Sequence, residues 1–331
     1  HSGANAPYYL GCLFFDRSRY DEAIDCFEAC IRLNPAHAKA LRNLALLYFD
    51  RKHDAAAARI CMEAALKYRR DPRLLLEYQQ LLKNSNVSTD ERLAVYAQYP
   101  DLLAERDDCF LDRIVLLCMK GQYADAIAAA RGKRFHIYEG GEGKLTKLHA
   151  WMHVLYALEC RAQGDLTKAE QLLYDAIHMP KTYGEAKTFF NQEGHIYYVL
   201  GLLKEQQGDD RAAQAAFETA SVYKAAVSEL SLFRAMALRK LLRFSEAENV
   251  LREMLDRADS LIENCDLRSY YGVGSPSPMP FEDDIRKQNR LDGHLLRAYA
   301  LLGLGQKTEA DREIREAAQQ DPNDFRIYTY R

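Results

Sequence analysis

A repeating spacing of about 34 residues constrains this chain more than any other feature. In YYLGCLFFDRSRYDEAIDCFEACIRLNP, Leu10, Gly11, Phe14, Tyr20, Ala23, Phe27 and Pro35 follow the pattern L-G-x2-[YF]-x5-Y-x2-A-x3-F-x7-P. One period later stand Leu44, Ala45, Tyr48, Ala57 and Cys61, all of suitable size. Small residues at Gly11 and Ala23 let two helices approach closely, and Phe27 fills the space toward the next unit. The frame continues on the small residue that opens each second helix: Ala126, Ala169, Ala213, Ala247 and Ala310, each after a turn. Between Ala57 and Ala126 there is room for two periods, so LLLEYQQLL and STDERLAVYAQYP form a degenerate third repeat.

The pattern resembles the tetratricopeptide repeat, a helix-turn-helix unit. The resemblance implies an all-α fold, a right-handed superhelix (α-solenoid) of about eight helix pairs over residues 1–331. The repeats are expected near 4–37, 38–72, 73–105, 106–134, 146–180, 194–226, 227–262 and 286–323, with insertions at 132–145, 180–194 and 263–285.

Composition agrees and removes several function classes. The chain has 331 residues, 48% hydrophobic and 28% charged, and only 9 prolines. A formal charge of -3 supplies no basic field for nucleic acid or anionic lipid. No apolar run reaches the roughly 18–20 residues that cross a bilayer. The eight cysteines never form a C-x-x-C pair and stand at apolar positions of helical stretches, as small buried hydrophobes of a reducing, cytoplasmic protein.

Three anchor intervals exceed the period, by about 9, 10 and 29 residues, in RGKRFHIYEGGEGKLTK, MPKTYGEAKTFFNQEG and ENCDLRSYYGVGSPSPMPFEDDIRKQNR. Each excess follows a second helix and precedes a first helix, so all three are expected on one edge. Some added residues are expected to lengthen a first helix, notably from Phe281 to Asn289. The Gly-rich FHIYEGGEGK is therefore an edge loop. A phosphate loop would need Gly at Tyr138 and Ser or Thr at Leu145. His149 and His153, with His136, Glu139 and Glu142 upstream, have metal-ligand spacing, but His153 falls at an inward-packing position, and no metal or other cofactor is expected. Gly140, Gly141 and Gly143 suit a tight turn. The alternative is a binding rim in which Glu139, Glu142, Lys144, Asn191, Glu193, Tyr270, Tyr271 and Asp283 hydrogen-bond a polar ligand, a sugar among them, or a neighbouring domain. Glu139 or Glu142 against Glu193 or Asp283 are the carboxylate pairs that glycoside chemistry could use.

First-helix positions 2, 5, 9 and 12 line the inner wall of such an array. They give Tyr8, Cys12, Phe15, Lys39, Arg42, Leu46, Phe49, Trp151, Val154, Leu158, Leu295 and Tyr299. Of these, Tyr8, Phe15, Arg42, Phe49, Trp151 and Tyr299 are the candidate binding residues. Cys12 and Leu46 stand where tetratricopeptide carboxylate clamps place asparagine, which argues against chaperone-tail binding. An apolar trough suits a helix or a domain face, unless tight winding buries these side chains within the domain.

The first repeat begins almost at residue 1, which suggests a piece of a longer chain. YYLGCLFFD, RFHIYEGGEGK and YYGVGSPSPMPFEDD together look like the C-terminal region of bacterial tetratricopeptide proteins with an N-terminal mutarotase-like β-sandwich of uncharacterised function. That family usually has Trp at the place of Tyr138 and Pro at that of Ile137. The resemblance implies a carbohydrate-linked cytoplasmic protein and carries over no catalytic residue. Three functions follow: a non-catalytic scaffold for a protein or its own N-terminal domain, a rim that completes a sugar site in an enzyme whose chemistry lies upstream, and a stand-alone peptide sensor, which needs the inner wall to be open.

Overall fold

A computed structural model describes residues 2–136, 141–187, 192–223, 226–266, 280–281 and 284–330. Among these residues the fold is all-helical, with no strand. In chain order the helices are α1 (Asn5–Asp16), α2 (Tyr20–Leu33), α3 (Ala38–Asp50), α4 (Ala55–Tyr68), α5 (Pro72–Asn84), α6 (Thr89–Gln98), α7 (Pro100–Glu105), α8 (Asp107–Met119), α9 (Tyr123–Arg131), α10 (Lys144–Ala162), α11 (Leu166–Ile177), α12 (Gly194–Gln207), α13 (Asp210–Val222), α14 (Ser231–Lys240), α15 (Phe244–Glu263), α16 (Ile285–Gly303), α17 (Lys307–Gln320) and α18 (Phe325–Thr329). None is long and apolar enough to cross a membrane.

The turns within the pairs share one backbone solution. A residue at positive φ stands just ahead of each second helix: Ser18, His53, Asn86, Gly121, Gly164, Gly208, Leu242 and Gly305. The amide that follows it bonds back across the turn, as Arg19 N does to Phe14 O (2.8 Å), Asp165 N to Cys160 O (2.9 Å) and Gln306 N to Leu301 O (2.9 Å). These are left-handed helix stops of the Schellman kind, which satisfy otherwise orphaned carbonyls. Asp54, Asp165 and Asp209 then cap the next helix, accepting from the amides of Ala57, Lys168 and Ala212. Among the described residues, eight such turns mark eight helix pairs.

Within pairs, packing depends on small residues. A Cβ on Gly11 would sit 2.7 Å from the Phe27 ring, and Gly201 meets the ring of Phe217 in the same way. Both pairs have the same separation along the chain, which Ala45 and Cys61, also buried, share. A smaller partner ring or thiol goes with a larger residue opposite, which conserves volume.

The chain divides into two compact units, His1–Arg113 with Ser277–Asp283, and Ile114–Pro276 with Asp284–Arg331. In the first, α2 packs on α3 and α4 on α5. Arg92 is buried there, its guanidinium reaching both carboxylate oxygens of Asp112 (2.9 and 2.8 Å) and the side-chain oxygen of Gln79, while Tyr96 donates to Asp112 (2.8 Å). The desolvated charge is thus paired and hydrogen-bonded, which its burial requires. In the second unit, α10, α12, α14 and α16 touch in series, so the first helices form one wall, backed by α11, α13, α15 and α17. Its core includes Leu238, Leu251, Met254, Leu296 and Tyr299.

α16 begins at Ile285, where Asp284 accepts from the amides of Arg286 and Lys287. The expected extension is therefore helical over 285–289, while Phe281 lies outside the helix. Five cysteines (Cys30, Cys61, Cys109, Cys118 and Cys160) are buried and none of the eight is in a disulfide.

Candidate functional site

Two of the insertions meet in the second unit. Phe135, buried within the first insertion, packs edge-on against Tyr183 of the second, ring centroids 5.5 Å apart. Gly184 makes this approach possible: its φ is +69°, and a Cβ there would lie 2.8 Å from the carbonyl oxygen of Phe135. The next residue, Glu185, accepts a 2.5 Å hydrogen bond from the amide of Gly143. Gly143, at φ +74°, is the N-cap of α10, and Thr146 Oγ1 donates to its carbonyl (2.9 Å). The Gly-rich run thus ends as a helix start, and a carboxylate from 42 residues away sits on the positive end of that helix. Of the expected glycines, Gly143 takes the positive φ, and Gly140 lies outside the described residues.

Of the rim residues, Glu142 and Lys144 are exposed on either side of Gly143. Glu193 precedes α12 and is engaged: Lys187 pairs with it and also donates to the Ile177 carbonyl, and the Tyr223 hydroxyl donates to its other oxygen (3.1 Å). Burial, then the neighbouring Glu193 carboxylate, pushes the Tyr223 phenol up, so it stays a donor. Glu139, Asn191, Tyr270, Tyr271 and Asp283 lie outside the described residues. Sequence reasoning missed Tyr183, Glu185 and Lys187, which tie the edge together.

Beneath this edge lie three buried imidazoles. His149 Nε2 is 2.9 Å from the Asp175 carbonyl, and His153 Nδ1 is 2.8 Å from the His149 carbonyl. A carbonyl only accepts, so those nitrogens carry the protons, and the opposite atoms, His149 Nδ1 and His153 Nε2, are lone pairs without partners. His195 lies against Trp151 (4.6 Å) and Phe233 (5.8 Å), with neither ring nitrogen partnered. Burial lowers the His149 pKa to about 3, aided by His153, and that of His153 to about 4. Burial, then Lys187, lowers His195 to about 3. All three are neutral core groups. Among the described residues, no group of three or more His, Cys, Asp or Glu is placed to hold a metal.

The wall residues divide into covered and open ones. In the first unit, Tyr8 is half-buried against His37 (4.7 Å) and Phe27 (6.0 Å), and Phe15 is 38% exposed beside Tyr20. Arg42 is held by both oxygens of the buried Glu77 (2.6 and 2.9 Å), which also receives Arg73 (3.0 Å). Phe49 meets Phe281 edge-on at 5.3 Å. In the second unit, Trp151 is buried under His195 and Phe233. Tyr299 is buried as well: its hydroxyl donates to the Arg326 carbonyl (3.0 Å), lies 2.8 Å from Thr329 Oγ1, and its ring meets Tyr330. Trp151 and Tyr299 therefore belong to the core, because α12, α14 and α18 close over them. A surface that the sequence reading passed over is the rest of α1, where Tyr9, Leu10 and Leu13 are 67, 45 and 43% exposed.

A family model described as tetratricopeptide repeat matches residues 8–73, and another with that description matches 194–221. Among solved structures, the chain is similar to Naa15/Naa10 bound to HypK-THB (15% identity, TM-score 0.41, covering 98% of this chain and 64% of that one). It is also similar to a tetratricopeptide repeat protein from Parabacteroides merdae (13%, 0.34, 97% and 94%) and to the TPR2AB domain of yeast Sti1 in complex with pHSP90 (14%, 0.33, 80% and 93%). The chain spans less than two thirds of its Naa15/Naa10 counterpart. Scores this low carry no functional information. The left-handed turns, the Gly11–Phe27 and Gly201–Phe217 contacts and the two family matches agree: the chain carries tetratricopeptide repeats, at residues 8–73 and again at 194–221.

Proposed function

We propose that the chain is a non-catalytic interaction scaffold that holds a protein partner, or its own N-terminal domain, along the first helices of its repeats, with the edge built by its insertions as a second contact. The observation that supports this reading is the open apolar face of α1. Leu10 and Leu13 are about half exposed, whereas their counterparts one period later, Leu44 and Leu47, are buried at 0 and 1%. The α1 sequence NAPYYLGCLFFD has a single charge, at its last residue, so a partner seated there strips little hydration from charged groups.

The sugar reading has less support. Glu193 is committed to Lys187 and Tyr223, and Glu185 to the α10 terminus, so a carboxylate pair would rest on Glu142 and on residues outside the described set. The scaffold reading is tested by placing a photo-crosslinking phenylalanine analogue at Phe15 and, as control, at Ile60, which is 67% exposed on α4. A saturable adduct with one discrete polypeptide from position 15, lost on Leu13→Glu, is the expected result. The same adducts from both positions would refute it.

A further inference from the structure

Phe15 and Phe49 hold the same repeat position in successive repeats, yet their surroundings differ. Phe15 is 38% exposed, with Tyr20 of its own repeat beside it. Phe49 is covered by Phe281, a residue from far down the chain that is 1% exposed. Phe281 groups with the first unit, while the chain on either side, up to Pro276 and from Asp284, groups with the second. It is part of no helix. Phe281 leaves its own repeats to fill a place on a wall that is unfilled one repeat earlier.

The physics of the contact is that of a ligand as much as of a core. An edge-to-face pair of aromatic rings at 5.3 Å is favourable beyond its buried area, and one buried aromatic ring is the usual anchor of a short docked peptide. The sequence around Phe281, PSPMPFEDDI, holds three prolines, which restrict the backbone before any docking.

We infer that the wall at Phe49 is a receptor for an aromatic side chain, and that Phe281 is its resident, displaceable occupant. The inference rests on the scaffold reading for its biological use and specifies the partner: a segment presenting Phe or Tyr. A partner that spans the Phe15 and Phe49 positions must expel Phe281, so the chain carries its own competitor. Because the competitor is covalently attached, its effective concentration is in the millimolar range.

The test uses the whole 331-residue chain and a fluorescent synthetic peptide of residues 274–285, GSPSPMPFEDDI, followed by anisotropy. Phe281→Ala is expected to bind the peptide at least about 10-fold more tightly than the wild type, since the attached competitor is gone. The Phe281→Ala form of the peptide, and the protein Phe281→Ala/Phe49→Ala, are expected to lose binding by at least about 10-fold. If Phe281→Ala does not fold by circular dichroism, Phe281→Leu keeps an apolar side chain and should show the same order with a smaller gap. Equal affinities for wild type and variant, or no binding to a folded variant, would overturn the inference. The assay contains no partner, so it stands apart from the Phe15 crosslink: peptide binding without a crosslink leaves the receptor and removes the scaffold reading, and the converse leaves the scaffold and removes the receptor.

Discussion

Lowering the pH from 7.5 to 5 is expected to destabilise the second unit strongly, before its carboxylates titrate. His149, His153 and His195 are held neutral by burial, with pKa values near 3, 4 and 3 against about 6.5 in an unfolded chain. Below 6.5 the unfolded chain binds protons that the folded one refuses, so stability is fully present above that pH and falls as the pH drops toward 4 and 3. At pH 5 each unfolded imidazole lies about 1.5 below its pKa, worth about 2 kcal/mol per group, and three groups together give about 6 kcal/mol. That is comparable with the whole stability of a domain, about 5–15 kcal/mol. Carboxylates contribute little in this window because they titrate near 4.

The reporter for this effect is built in. Trp151 is the single tryptophan of the chain, and its ring lies 4.6 Å from that of His195, so its fluorescence follows this unit. Urea titrations at pH 7.5, 6 and 5 should show the midpoint falling in steps. His195→Leu removes one of the three groups and breaks no hydrogen bond, since neither ring nitrogen has a partner. The variant should be at least as stable as the wild type at pH 7.5, and should lose about 2 kcal/mol less on acidification. A change below about 1 kcal/mol between pH 7.5 and 5, or an unaltered pH dependence in His195→Leu, would refute the reasoning.

Three further outcomes follow from the backbone and the packing. Leu242 holds φ +60° with its side chain 74% exposed, so Leu242→Gly should stabilise by about 0.5–1 kcal/mol in thermal melts, and a loss would show that its side chain is needed. Gly11→Ala should cost about 1–3 kcal/mol by pressing on Phe27, and adding Phe27→Cys, which copies the Ala45 and Cys61 pair, should recover part of it; strict additivity would deny the coupling. Glu185→Ala should cost about 1 kcal/mol and speed hydrogen exchange at the Gly143 amide, and unchanged exchange would mean that the cap is not formed in solution.

The helix pairs were legible because each needs a small residue opposite a large one at fixed spacing, and that need is local. The turns were half legible. Glycine announces Gly121, Gly164, Gly208 and Gly305, but Ser18, His53, Asn86 and Leu242 hold the same left-handed backbone without it. There, stacking of the two helices imposes the geometry, at a cost of about 1–2 kcal/mol that a residue's identity does not disclose. Glu185 was illegible because its partner lies 42 residues away, across a junction that exists once Phe135 and Tyr183 have packed.

The wall shows where periodic reasoning stops. A period assigns Phe15, Phe49, Trp151 and Tyr299 to one wall, since it encodes the direction in which a side chain leaves its helix. What then covers that side chain is decided by segments that the period does not describe. His195 and Phe233 close over Trp151, Thr329 and Tyr330 close over Tyr299, and Phe281 closes over Phe49 from outside the repeat register, while Phe15 stays open. Residues in or capping helices make the first two covers, so removing them would unstack those helices. A non-helical residue makes the third, so the Phe49 position is where the array can exchange its own side chain for another's without unstacking a repeat.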